Sequence, residues 1–232
     1  MKPAPNPDLK PEVPRSDAAR GMAKIGAATL LFAAWHSLLC SDGAKETARA
    51  LLGERRGTGF YRAGFMAQSA LSTGALVLYL LRQPHRTIYR ARGALKLAGW
   101  AGQLASGIVF ALALGELDKP KFLGLKGVNQ AQNPEGNIEE AQAQGPELED
   151  DDATVRASGV FRYSRHPLEW APIALLFCSP KMKTNWLAFD ILAAIYSVVG
   201  ALHEEKRLLR QSPTAYAKYQ KQVPFFCGKP KF

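Results

Sequence analysis

Cysteine is scarce: there are three in 232 residues, at positions 40, 178 and 227, with no C-x-x-C pair. That excludes a disulfide scaffold and argues against a cysteine-built zinc site. The chain also has no Gly-x-Gly-x-x-Gly after a strand pattern, no phosphate loop, no His-Glu-x-x-His and no Gly-x-Ser-x-Gly. A Rossmann nucleotide site, a zinc-protease helix and a serine-hydrolase elbow are therefore not expected. No metal is expected either, and there is no tandem repeat. Residues 1–20 lack an apolar core followed by a small-residue cleavage site, so they do not read as a cleaved signal peptide. Their five prolines and scattered charges predict a disordered tail.

Charge is present but unevenly spread. Residues 127–155 contain no Lys or Arg and eight acids, whereas the rest of the chain sets 30 bases against 12 acids. A basic balance of that size suits nucleic acid or an anionic membrane surface. Here the bases flank long apolar runs, which favours membrane lipids as the partner and no nucleic acid.

Those runs dominate the sequence. Gly21–Cys40 is broken only by Lys24 and His36, while Ala63–Leu81 and Leu97–Gly115 are uncharged for 19 residues each. A 19-residue helix is about 28 Å long, close to the roughly 30 Å of a hydrocarbon core. Leu168–Ser179 has only 12 residues; a basic turn follows, and then Asn185–Leu202, which carries Asp190. The pattern predicts an all-α, polytopic integral membrane protein with about five transmembrane helices, the last two forming a C-terminal helical hairpin. The expected organisation is a tail at 1–20, a three-span region at 21–126, an acidic disordered insertion at 127–155 and a C-terminal hairpin with its tail at 156–232. For five crossings, the loops on the C-terminal side hold 17 Lys and Arg against 11 opposite. That excess predicts a cytoplasmic C-terminus.

A hairpin returns the chain to the side it left. Arg165-His166-Pro167 at its start and His203-Glu204-Glu205 at its end should then face the same compartment. Pro167 suits a first helical turn, which places His166 at a helix N-terminus, flanked by Arg162 and Arg165. Neighbouring helical residues point about 100° apart, so Glu204 and Glu205 cannot easily share a partner. Tyr216 and Tyr219, three apart, share a face. His36 lies deep in the first run; it reads either as a hydrogen-bonded core residue or as a ligand, haem included. Asp190 reads either as paired to a neighbouring helix or as part of a polar pocket.

GVFRYSRHPLEW, EEKRLL, Tyr216–Tyr219 and Val223-Pro224, in that order, resemble the membrane methyltransferases of the isoprenylcysteine carboxyl methyltransferase superfamily. HSLLCSDGAK through GTGFYRAGF, with FLGLKGVNQ, looks like the NnrU and methanethiol S-methyltransferase-like branch. The resemblance implies S-adenosylmethionine as methyl donor and, as acceptor, a small thiol or an isoprenoid or lipid-like molecule. It maps Arg165, His166 and Pro167 onto the first motif and Glu204, Glu205 and Leu208 onto the second. Tyr216, Tyr219 and Pro224 map onto the tail, and Gln130 onto the middle segment. All of these except Pro224 are implied cofactor-binding residues, and Arg165, His166 and Glu204 are the implied catalytic ones. Three departures stand out: Glu169 and Ala171 occupy places where the family has Tyr and Gly, and Ser212-Pro213 replaces its usual Phe-Gly before the tyrosines. Two other readings are a non-catalytic or haem-binding NnrU-type protein and a sterol-reductase-like oxidoreductase, whose family shares an Arg-His-Pro region.

Overall fold

The computed structural model describes residues 13–133, 138, 147–148 and 155–231. In chain order its helices are α1 (Arg15–Cys40), α2 (Asp42–Leu52), α3 (Glu54–Arg82), α4 (Gly93–Gly115), α5 (Lys119–Phe122), α6 (Leu125–Gln132), α7 (Pro167–Phe177), α8 (Thr184–Gln211) and α9 (Pro213–Gln222). Four strands, β1 (Thr87–Arg90), β2 (Glu147–Leu148), β3 (Val155–Arg156) and β4 (Lys181–Lys183), form two small antiparallel ribbons, β1 with β4 and β2 with β3.

Helices α1, α3, α4 and α8 are long and apolar enough to cross a membrane. Their apolar surface faces outward: Leu31, Leu71, Leu95 and Leu104 are each at least 67% exposed. In water each such side chain would forgo roughly 1.5–3 kcal/mol of burial. Against lipid tails that penalty disappears, and helices associate through close packing and interhelical hydrogen bonds instead. The chain is a mostly helical, multi-pass membrane protein. Helix α7, with 11 residues, is apolar but short.

Close packing is built from small residues. A Cβ on Gly102 of α4 would lie 2.6 Å from Cys178 Sγ, and one on Gly99 would lie 2.9 Å from the Cys178 carbonyl oxygen, so α7 runs tightly along α4. Asn185 donates from Nδ2 to the Leu80 carbonyl at 3.0 Å, satisfying a C-terminal carbonyl of α3 from the start of α8. The β1–β4 ribbon holds the chain after α3 against the chain between α7 and α8, with Thr87 opposite Lys183 and Arg90 opposite Lys181. At the other end of α4, Ala113, Leu117, Phe122, Phe161 and Leu168 form one core cluster that seats the beginning of α7.

Two expected boundaries are corrected. The N-terminal tail ends sooner than residue 20, because α1 starts at Arg15, directly after Pro14. Asp17 in its first turn complements the helix dipole; residues 1–12 lie outside the described residues. The acidic insertion does not begin at 127, because residues 127–132 belong to α6. The cause is again a glycine contact: a Cβ on Gly59 would sit 2.5 Å from the Gly127 carbonyl oxygen, so α6 and α3 touch backbone to backbone. Beyond α6, β2 pairs with β3, and the remainder of the insertion lies outside the described residues.

Candidate functional site

Pro167 occupies the first turn of α7, and His166 precedes it as the N-cap residue with φ −129° and ψ 53°, outside the helical region. The residue before a proline is pushed out of the helical region, so the Arg-His-Pro order itself sets this turn. Ser164 stabilises it: its Oγ accepts from the His166 backbone N–H at 3.2 Å and from Trp170 Nε1 at 2.9 Å.

On α8, Glu205 points inward and is 6% exposed. Its carboxylate accepts from Arg165 Nε at 2.6 Å, from His166 Nε2 at 2.9 Å and from Gln220 Nε2 at 2.8 Å. Arg165 also donates from Nη1 to the Gln220 carbonyl at 3.1 Å and to the Val223 carbonyl, and its backbone N–H meets the Pro224 carbonyl at 3.0 Å. Phe225 covers the pair, its ring centroid 4.7 Å from that of His166 and 5.6 Å from the Arg165 guanidinium carbon. A buried carboxylate is tolerated only when its oxygens are matched by donors in this way.

Leu208, Tyr216, Tyr219 and Val223 form a second buried cluster beneath this unit. Tyr219 Oη donates to the Phe161 carbonyl at 2.7 Å. Burial, reinforced at Tyr216 by the Glu205 and Glu204 carboxylates, pushes both phenols well above their ordinary range, so they stay neutral hydroxyls. The start of α7, the end of α8 and helix α9 are thus one packed unit.

Glu204, one residue earlier, faces elsewhere. It lies 4.0 Å from Arg207 Nη2, and one of its oxygens joins His166 and Glu169 in a group of donors all within 4.8 Å of one another. Glu169 Oε2 is buried and meets no hydrogen-bond partner.

The structure therefore brings together Arg165, His166, Pro167, Glu204, Glu205, Leu208, Tyr216 and Tyr219. Gln130 sits on α6 against α3, where its carbonyl accepts from Arg55 at 2.6 Å. His203 is exposed. His36 lies between Phe32 and Phe65, with Nδ1 3.3 Å from Ser69 Oγ. Sequence reasoning treated Glu169 only as a departure from a motif. The available signal was its spacing: three residues after His166 on a helix, it shares that residue's face. Gln220 and Phe225 carried no comparable signal, because their roles depend on where the tail folds back. In the comparisons with family models, with curated proteins and with solved structures, no match to this chain is found.

Proposed function

We propose that the protein is an S-adenosylmethionine-dependent membrane methyltransferase acting on a small thiol or an isoprenoid or lipid-like acceptor. One observation carries the reading. The motif residues that suggest it, spread from Arg165 to Pro224, fold into a single unit in which Glu205 of the second motif binds Arg165 and His166 of the first. The tail carbonyls of Gln220, Val223 and Pro224 lock onto the same arginine. In this reading α7 is a short fourth crossing and α8 the fifth, and the two form the hairpin that returns the chain to one side. The excess of basic residues there puts the C-terminus in the cytoplasm.

The division of labour differs between the residues. Arg165 and Glu205 are engaged with each other and with the tail, so they act as positioning residues. Glu204 supplies negative charge towards a cationic donor, with the Glu169 carboxyl beside it. Tyr163 and Phe226 are each 54% exposed, and the tail reaches Tyr163 through the Gly228 N–H, 3.0 Å from its carbonyl. These two rings offer stacking surface to an adenine. A sulfonium methyl is already activated, so the protein has only to align the acceptor at about 3–3.5 Å and exclude water. An apolar acceptor approaches from the lipid between the spanning helices.

Isothermal titration of detergent-purified protein with S-adenosylmethionine tests the reading, with Glu204→Ala as the comparison. Saturable binding that weakens about tenfold or more in the variant supports it. Folded wild-type protein that takes up no heat from the donor, and transfers no labelled methyl group to thiols, prenylcysteine analogues or extracted lipids, defeats it.

A further inference from the structure

The geometry points to a divalent transition-metal site formed by His166 Nδ1 and one carboxylate oxygen each from Glu169 and Glu204. One donor atom from each of these three residues lies within 4.8 Å of the other two. The imidazole is oriented for the task. Its Nε2 lies 2.9 Å from Glu205 Oε1, and that oxygen also takes Arg165 Nε at 2.6 Å. An ionised carboxylate only accepts, so Nε2 carries the hydrogen and the neutral ring's lone pair is on Nδ1. Nδ1 faces Glu169 Oε2 at 3.9 Å, and the imidazole side chain is 3% exposed. A metal-binding histidine that hands its other N–H to a carboxylate is the usual second layer of such sites.

The second observation is independent of the imidazole. Glu169 Oε2 is buried with no hydrogen-bond donor, and it is aimed into the same space. A buried carboxyl without a donor avoids the cost of its charge by keeping its proton, and a divalent cation is the partner that displaces that proton. Glu204 brings a second carboxylate, and its ion pair with Arg207 is stretched to 4.0 Å. Zinc bonds of about 2.0–2.1 Å put neighbouring tetrahedral donors roughly 3.4 Å apart, so the 3.9 Å pair closes by about half an ångström, within the reach of a glutamate rotation. One nitrogen and two carboxylate donors with a position left open suit zinc or a similar first-row ion, and the imidazole disfavours calcium and magnesium. Two carboxylates balance the ion's charge, and each keeps its second oxygen. The site goes beyond the methyl-transfer reading and does not rest on it.

The test uses full-length protein in detergent, stripped with a chelator and titrated with Zn²⁺ alone by calorimetry and with Co²⁺ alone by visible absorption. The expected result is one saturable equivalent, with affinity about 10–100-fold lower in Glu169→Gln and in Glu204→Gln. Circular dichroism confirms that the helices are retained; if Glu169→Gln does not fold, the more exposed Glu204→Gln decides alone. No saturable binding by folded wild type, or binding equal in wild type and folded variant, overturns the site. Because no S-adenosylmethionine is present, this outcome is separate from the fate of the methyl-transfer proposal.

Discussion

Helix α8 buries two carboxylates and treats them oppositely. Glu205, near its end, is 6% exposed and accepts from Arg165, His166 and Gln220. Asp190, nearer its start, is 1% exposed, and its Oδ1 meets no partner. It lines a recess of about 240 Å³ with Gln103, Met182, Lys183 and Trp186 among the walls. The difference teaches what holds each end together. At the Glu205 end, three sequence-distant segments are tied by charge-assisted hydrogen bonds, which are roughly twice as strong as neutral ones. At the Asp190 end, the β1–β4 ribbon and glycine-mediated packing do the work, and Oδ1 of the acid ties no segment to another.

The comparison is broken most severely at Arg165. Arg165→Ala leaves Glu205 buried beside one fewer cation and frees two tail carbonyls. Removing one partner of a buried ion pair costs about 3–5 kcal/mol, so the thermal midpoint in detergent should fall by many degrees or the protein should fail to purify. A midpoint unchanged from wild type would show that the clamp is ornamental. Glu205→Gln keeps the shape but removes the charge. It should cost about 1.5–3 kcal/mol, the worth of a hydrogen bond to a charged group. Protease sensitivity should then appear first in α9, which the carboxylate anchors through Gln220.

Tyr219→Phe removes one hydroxyl that donates to Phe161 at the same end. A loss of about 1 kcal/mol is expected, visible as a small midpoint shift with helix content unchanged. The smallest effect should come from Asp190→Asn: it removes a buried charge whose Oδ1 has no hydrogen bond to lose, so the thermal midpoint should hold or rise slightly, by the equivalent of less than about 1 kcal/mol. If Asp190→Asn destabilised the protein as much as Glu205→Gln, the contrast between the two acids would be wrong.

Much of this was legible in order along the chain. The long apolar runs gave their helices away, since rise per residue fixes length and lipid thickness fixes the length required. That Arg165-His166-Pro167 and His203-Glu204-Glu205 lie near each other was also legible, from the two apolar runs between them, whereas the pairing of His166 with Glu205 in particular was not. Helix α6 was not legible, because its composition reads as loop, and its close glycine contact with α3 exists only once the chain is folded. The first turns of α1 were hidden for a similar reason: prolines upstream outweighed a short stretch of ordinary helix formers. Glu169 was visible as an odd residue, yet its unpaired oxygen exists only once α8 lies beside α7.

The sequence by itself determined where the chain is apolar enough for lipid, which segments are basic or acidic, and that Glu204 and Glu205 must point apart. Which of the two turns inward was decided only by tertiary structure. The 100° between adjacent residues fixes their relative directions, whereas the rotation of α8 about its own axis is set by what packs against it. The tail folded over Arg165 and the ribbon at the far end together choose that rotation, and with it the chemistry each carboxylate can offer.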